Sequence, residues 1–128
     1  MPKILLVDDD AVLRKVYVRF LRQEGFEVLE SWNGEHALLN FIEEPIDVIL
    51  LDIQMPVVSG NVLISALQHF HPTAKIIIFS CYSISVQKRM IDGAKNYFDK
   101  SEGCVRLISK IKALLESHPD TCNAEHIP

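Results

Sequence analysis

Ile4-Leu5-Leu6-Val7-Asp8-Asp9-Asp10 sets four consecutive apolar residues directly against three aspartates. A strand with one wet face alternates apolar and polar side chains. An unbroken apolar run therefore reads as a strand buried on both faces, as in a parallel sheet covered by helices. The abrupt change to carboxylate marks where the chain leaves the core. The arrangement recurs in Val48-Ile49-Leu50-Leu51 before Asp52, in Ile76-Ile77-Ile78-Phe79 before Ser80, and in the shorter Tyr97-Phe98 before Asp99-Lys100. Phe26 to Glu30 alternates and reads as a strand nearer an edge.

Helical patterns fill the intervals. Leu13, Val16, Tyr17, Phe20 and Leu21 follow an i, i+3, i+4, i+7, i+8 rule and stop at Gly25. Ala37, Leu38, Phe41 and Ile42 mark a second helix, stopped by Pro45, and Val62, Leu63, Ala66, Leu67 and Phe70 a third, stopped near Pro72. Ser85 to Asp92 gives a short fourth helix before Gly93. Cys104, Leu107, Ile108, Ile111, Leu114 and Leu115 place the fifth over roughly Glu102 to Glu116. Five strands alternating with five helices predict an α/β domain with helices on both faces of a parallel sheet. It occupies residues 1–116, and the polar residues 117–128, with two prolines and no apolar periodicity, are expected to form a flexible tail.

At 128 residues, 48% of them hydrophobic, the chain can bury one real core. Thirteen Lys+Arg against 17 Asp+Glu give a net charge of −4, with no basic block, which argues against direct nucleic-acid binding. Three widely spaced cysteines form no metal or redox motif, and the apolar run after Lys3 is too short for a signal peptide or a membrane span. A cytoplasmic location is expected. The five histidines form no recognisable site.

Ligands of an open parallel sheet bind beyond the carboxyl ends of its strands. Those ends carry Asp8-Asp9-Asp10, Asp52, Ser80 and Asp99-Lys100. Unit charges of like sign ~4 Å apart repel by about 4 kcal/mol at an effective dielectric near 20, so carboxylates gathered on one rim call for a positive partner. A hard divalent cation with oxygen ligands, Mg²⁺ keeping several waters, suits them. It would also neutralise an incoming phosphoryl group whose equatorial oxygens Lys100 and Ser80 could hold, which leaves Asp52 as nucleophile.

Taken in order, Ile4 to Asp10, Asp52-Ile53-Gln54-Met55-Pro56 with Gly60, Ser80, and Gly93-Ala94 through Tyr97-Phe98-Asp99-Lys100 resemble a two-component response-regulator receiver domain, of the stand-alone, chemotaxis-regulator-like kind, over roughly residues 3 to 116. The resemblance implies a flavodoxin-like doubly wound sheet of order 2-1-3-4-5. It also implies transfer of a phosphoryl group to Asp52 from a sensor histidine kinase or a histidine phosphotransfer protein. Position by position, Asp9, Asp52 and the backbone carbonyl of Gln54 resemble the family's direct Mg²⁺ ligands, with Asp8 acting mainly through water. Ser80 takes the place of the switch hydroxyl, Lys100 that of the phosphoryl-binding lysine, and Tyr97 that of the switch aromatic. Asp10 is expected to cap the first helix. The implied output is protein contact with a downstream effector, or with a second phosphorylated copy, through a surface over about Ser83 to Leu115.

Most receivers carry proline after the lysine. Here Ser101 follows Lys100, and a trans bond is expected because a non-proline cis bond costs ~2.5–4 kcal/mol. Cys81 is larger than the usual residue after the switch hydroxyl, and the segment from Ser80 to Gly93 is shorter than usual. Two further readings compete. A pseudo-receiver acting only as an interaction module would normally lack part of the Asp8, Asp9, Asp52, Ser80 and Lys100 set. An aspartyl-phosphate hydrolase needs a general acid two residues after its nucleophile, where this chain has Gln54. An enzymatic role is therefore not expected.

Overall fold

The structure, a computed structural model, describes residues 1–53, 60–91 and 94–116. Strands and helices alternate: β1 (Lys3–Val7), α1 (Ala11–Gln23), β2 (Glu27–Ser31), α2 (Gly34–Glu43), β3 (Val48–Leu51), α3 (Gly60–Phe70), β4 (Lys75–Ser80), α4 (Ile84–Met90), β5 (Asn96–Asp99) and α5 (Cys104–Glu116). The strands form one parallel sheet in the order β2-β1-β3-β4-β5, the flavodoxin-like doubly wound arrangement. The alternating β2 segment lies on an edge, as its pattern predicts, and starts one residue later than Phe26.

Alternate side chains of the sheet feed two cores, since successive residues of a strand point to opposite faces. Ile4, Leu6, Val48, Leu50, Ile77 and Phe79 pack with Tyr17, Val18 and Leu21 of α1 and Leu107 and Ile111 of α5. Leu5, Val7, Ile49, Leu51 and Ile78 pack with Ala37 and Phe41 of α2, Leu63, Ile64 and Leu67 of α3, and Ile91 just beyond α4. All four residues of β3 are fully buried, which accounts for its lack of polar alternation.

The buried face of α1 differs from the apolar stripe read in the sequence. Arg14, Tyr17, Val18 and Leu21 are buried, whereas Val16 and Phe20 are 45% and 40% exposed. Two stripes compete in this helix, and the one containing an arginine wins because the folded chain satisfies that guanidinium. Arg14 Nη1 donates to the Asp8 carbonyl at 2.8 Å and Nε to Glu30 at 2.9 Å. The start of the last helix also differs. Lys100–Glu102 form a separate 3₁₀ turn, and Gly103, with φ +90°, a region L side chains rarely adopt, divides it from α5. The Lys100–Ser101 bond is trans. Gln54, Met55, Pro56, Gly93 and the tail expected over 117–128 lie outside the described residues.

Candidate functional site

The sheet topology brings the acidic strand ends together. Val7 and Leu51 are register partners on the adjacent strands β1 and β3, so Asp8 and Asp52 emerge side by side, and the Asp52 amide donates to the Val7 carbonyl at 2.9 Å. One carboxylate oxygen from each of Asp8, Asp9 and Asp52 lies within 4.8 Å of the other two. Asp8 and Asp52 are 0% and 4% exposed, while Asp9 faces solvent. Ser80 and Asp99 are register partners on β4 and β5, which carries Lys100 to the same rim.

Lys100 crosses the pocket. Its Nζ donates to Asp8 Oδ2 at 2.8 Å and to Asp52 Oδ2 at 3.0 Å, and sits 4.8 Å from the ring centroid of Phe79. Burial works against the charged ammonium. The hydrogen bonds and negative charges of Asp8 and Asp52 outweigh that effect and hold the Lys100 pKa above its ordinary 10.5. Among the described residues the site sets three carboxylates around one ammonium, an excess of negative charge. That charge, with hard oxygen donors on one exposed and two buried side chains, fits a divalent cation.

The loop after β1 is held from several sides. Asp8 Oδ1 accepts from the Asp10 amide at 2.9 Å, and the Asp10 carboxylate caps α1 by accepting from the amides of Val12 and Leu13. Behind it, Arg14 and Lys15 both pair with Glu30 of β2. Burial opposes the charge on Glu30, but the hydrogen bonds from Arg14 and Lys15 prevail and its pKa lies below 4.5.

Ser80 is fully buried at the end of β4, where its Oγ accepts from the Tyr82 amide at 3.2 Å. Tyr97 opposes Ile78, two residues before Ser80, and packs into the same core as Ile78, so Ser80 and Tyr97 face one side of the sheet. The Tyr97 hydroxyl donates to the Ile91 carbonyl, not into the acidic pocket. The fold thus gathers Asp8, Asp9, Asp52 and Lys100 and sets Ser80 on the neighbouring strand, with Tyr97 one turn of the pleat away. Arg14, Glu30 and Gln87 support this region and were not among the residues read from the sequence. The faint signal for Arg14 is that it stands three, four and seven residues before Tyr17, Val18 and Leu21.

Fold and pocket together define a doubly wound α/β protein with an acidic, lysine-bridged site at the point where the strand order reverses. Residues 4–112 match the response regulator receiver domain. The chain belongs to that family, and it is a receiver, the signalling domain of two-component systems. It is similar to the transcriptional regulatory protein PrrA of Mycobacterium leprae, 35% identical over 126 residues, covering 96% of this chain and 54% of PrrA. It spans about half the length of the curated relatives it matches. Among solved structures, the response regulator TrrA of Thermotoga maritima in complex with Mg²⁺–BeF is 34% identical with a TM-score of 0.80, covering 89% of this chain and 99% of TrrA. A complex of TrrA with the histidine kinase ThkA gives 35% identity and a TM-score of 0.80, covering 90% of this chain and 99% of that one. No helix among the described residues is long and apolar enough to cross a membrane.

Proposed function

We propose that Asp52 accepts the phosphoryl group, and that Lys100, Ser80 and Tyr97 read its arrival. The observation that carries this reading is the lysine bridge: a nearly buried ammonium spans Asp8 and Asp52 within 3.0 Å. It holds the Asp52 carboxylate in place and needs little movement to reach an oxygen of a group bound there. A carboxylate oxygen of Asp52 forms the new O–P bond as the P–N bond of a phosphohistidine breaks, with the electron pair leaving on the imidazole. Lys100 offsets the charge gathering on the transferring oxygens, and the buried Ser80 hydroxyl can donate to one of them.

Mg²⁺ is the cation that this donor set suits. Asp9, Asp52 and the Gln54 carbonyl would hold it directly, with Asp8 acting through water. Bound there, it would supply the charge neutralisation that an anionic donor needs on approaching an acidic rim. The donor is a sensor histidine kinase or phosphotransfer protein, a reading supported by the ThkA–TrrA complex. The receiver occupies 1–116, acts in the cytoplasm, and passes its state to an effector protein or a second copy through the surface over Ser83 to Leu115, without turnover of a small substrate and without itself binding nucleic acid. Acetyl phosphate with Mg²⁺ should add one phosphoryl group by intact mass, EDTA should prevent it, and Asp52→Asn should remain unlabelled. Undiminished labelling of Asp52→Asn would overturn the assignment.

A further inference from the structure

Helix α4 is attached to the domain through a polar side chain. Its one buried residue is not apolar: Gln87 is fully buried, while Lys88, Arg89 and Met90 are exposed. The side-chain amide donates from Nε2 to the Tyr82 carbonyl at 2.8 Å and the Phe98 carbonyl at 2.9 Å, and lies 3.5 Å from the Ser80 carbonyl. These carbonyls belong to the end of β4, the loop after it, and β5 two residues before Lys100. An amide nitrogen has two hydrogens, so three acceptors share two donors, and the Ser80 carbonyl holds the longest contact. The amide oxygen Oε1 has no hydrogen-bond partner among the described residues.

We propose that Gln87 is a positioning residue that ties α4 to the strand ends carrying Ser80 and Lys100. Apolar burial is non-directional and tolerates sliding. Hydrogen bonds to main-chain carbonyls are directional, so displacement of the Ser80 or Lys100 backbone changes how the Gln87 amide divides its two hydrogens and thereby where α4 sits. Tyr82 reinforces the connection, since its amide donates to Ser80 Oγ while its carbonyl accepts from Gln87. The side chain thus links the phosphoryl-reading residues to a helix whose own apolar residues, Ile84 and Val86, are only half-buried, with Ile91 just beyond its end as the apolar anchor. The inference rests on Asp52 as acceptor and adds the element through which the change travels.

The test uses beryllofluoride with Mg²⁺ as the probe and ¹⁵N NMR of the full chain as the readout. In the wild type, the side-chain amide signals of Gln87 should move with the same midpoint as the backbone amides of Ile84 to Met90. Stationary Gln87 side-chain signals beside moving α4 amides would overturn the proposal. In Gln87→Met, which keeps length but has no donor, the Asp9 and Ile53 amides should still respond, while the displacement of the α4 amides falls below half its wild-type size. A full α4 response in this variant also overturns the proposal. Val28→Ala, which loosens the core at β2, the edge strand opposite β5, should retain the whole response, and loss of the α4 response there would reduce Gln87 to a contributor to stability alone. Should Gln87→Met fail to fold, the wild-type side-chain signals decide the matter. Silent Asp9 and Ile53 amides in the wild type remove the acceptor reading and this inference with it, whereas responsive ones beside an uncoupled Gln87 remove only this inference.

Discussion

Lys100 shows how a side chain whose burial is unfavourable by itself is held charged by its partners. Withdrawing an ammonium from water is costly, and breaking a buried pair by deleting one partner strands the other charge. Lys100→Met should therefore destabilise the metal-free protein by about 3–5 kcal/mol at neutral pH, measured by urea unfolding. The pH dependence follows from the raised pKa. The folded chain holds the Lys100 proton more tightly than the unfolded chain, so this stability is fully present below 10.5 and is lost as pH rises through the folded value. Tyr17 and Cys104, whose pKa values burial pushes up, also weaken the protein in the alkaline range, and Lys100 itself acts on Tyr17, so the gap between wild type and variant is read in a Tyr17→Phe background. The gap should narrow above pH 10.5, and a constant gap would contradict the ion-pair account. Asp8, Asp9, Asp52 and Lys100 were legible in the sequence because each follows an apolar run and so lies at a strand end. Arg14 and Gln87 were not legible: a polar residue inside a helix carries no mark separating a solvated position from a buried one whose partners come from distant segments.

At the scale of elements, α1 separates the roles of three adjacent aspartates. Asp8 and Asp9 contribute to the carboxylate group with Asp52, whereas Asp10 caps the helix. Asp10→Ala should lower stability by about 0.5–2 kcal/mol while leaving the extent of phosphorylation by acetyl phosphate unchanged. Loss of phosphorylation at retained stability would instead place Asp10 in the pocket. The boundaries of α1 were readable from Asp10 and Gly25, and its rotational phase in part: Leu13, Tyr17 and Leu21 face the core as read, whereas Val16 and Phe20 do not. Val12, Val16 and Phe20 make a competing apolar stripe, and the pairing of Arg14 with Glu30 on β2 lets the face with Val18 and Leu21 be buried instead. In α5 no polar residue competes for the inner face, and there the predicted stripe and the buried face agree.

Across the whole molecule, the fold was legible because the sheet is buried on both sides and its strands therefore lack alternation, while the helices between them are amphipathic. The order of the strands is a different kind of information: local periodicity is blind to it, and it was available only through the resemblance of the ordered motifs to receivers. That order is also what makes the site, since placing β1 beside β3 sets Asp8 against Asp52, and placing β5 beside β4 delivers Lys100 to both. The central claim is that this convergence makes Asp52 the phosphoacceptor. It is tested most directly by treating the phosphorylated protein with borohydride, which reduces an acyl phosphate to the alcohol, and sequencing the peptides by mass spectrometry. The account predicts homoserine at position 52 and unmodified Asp8 and Asp9; homoserine at position 8 or 9, with Asp52 intact, would contradict it.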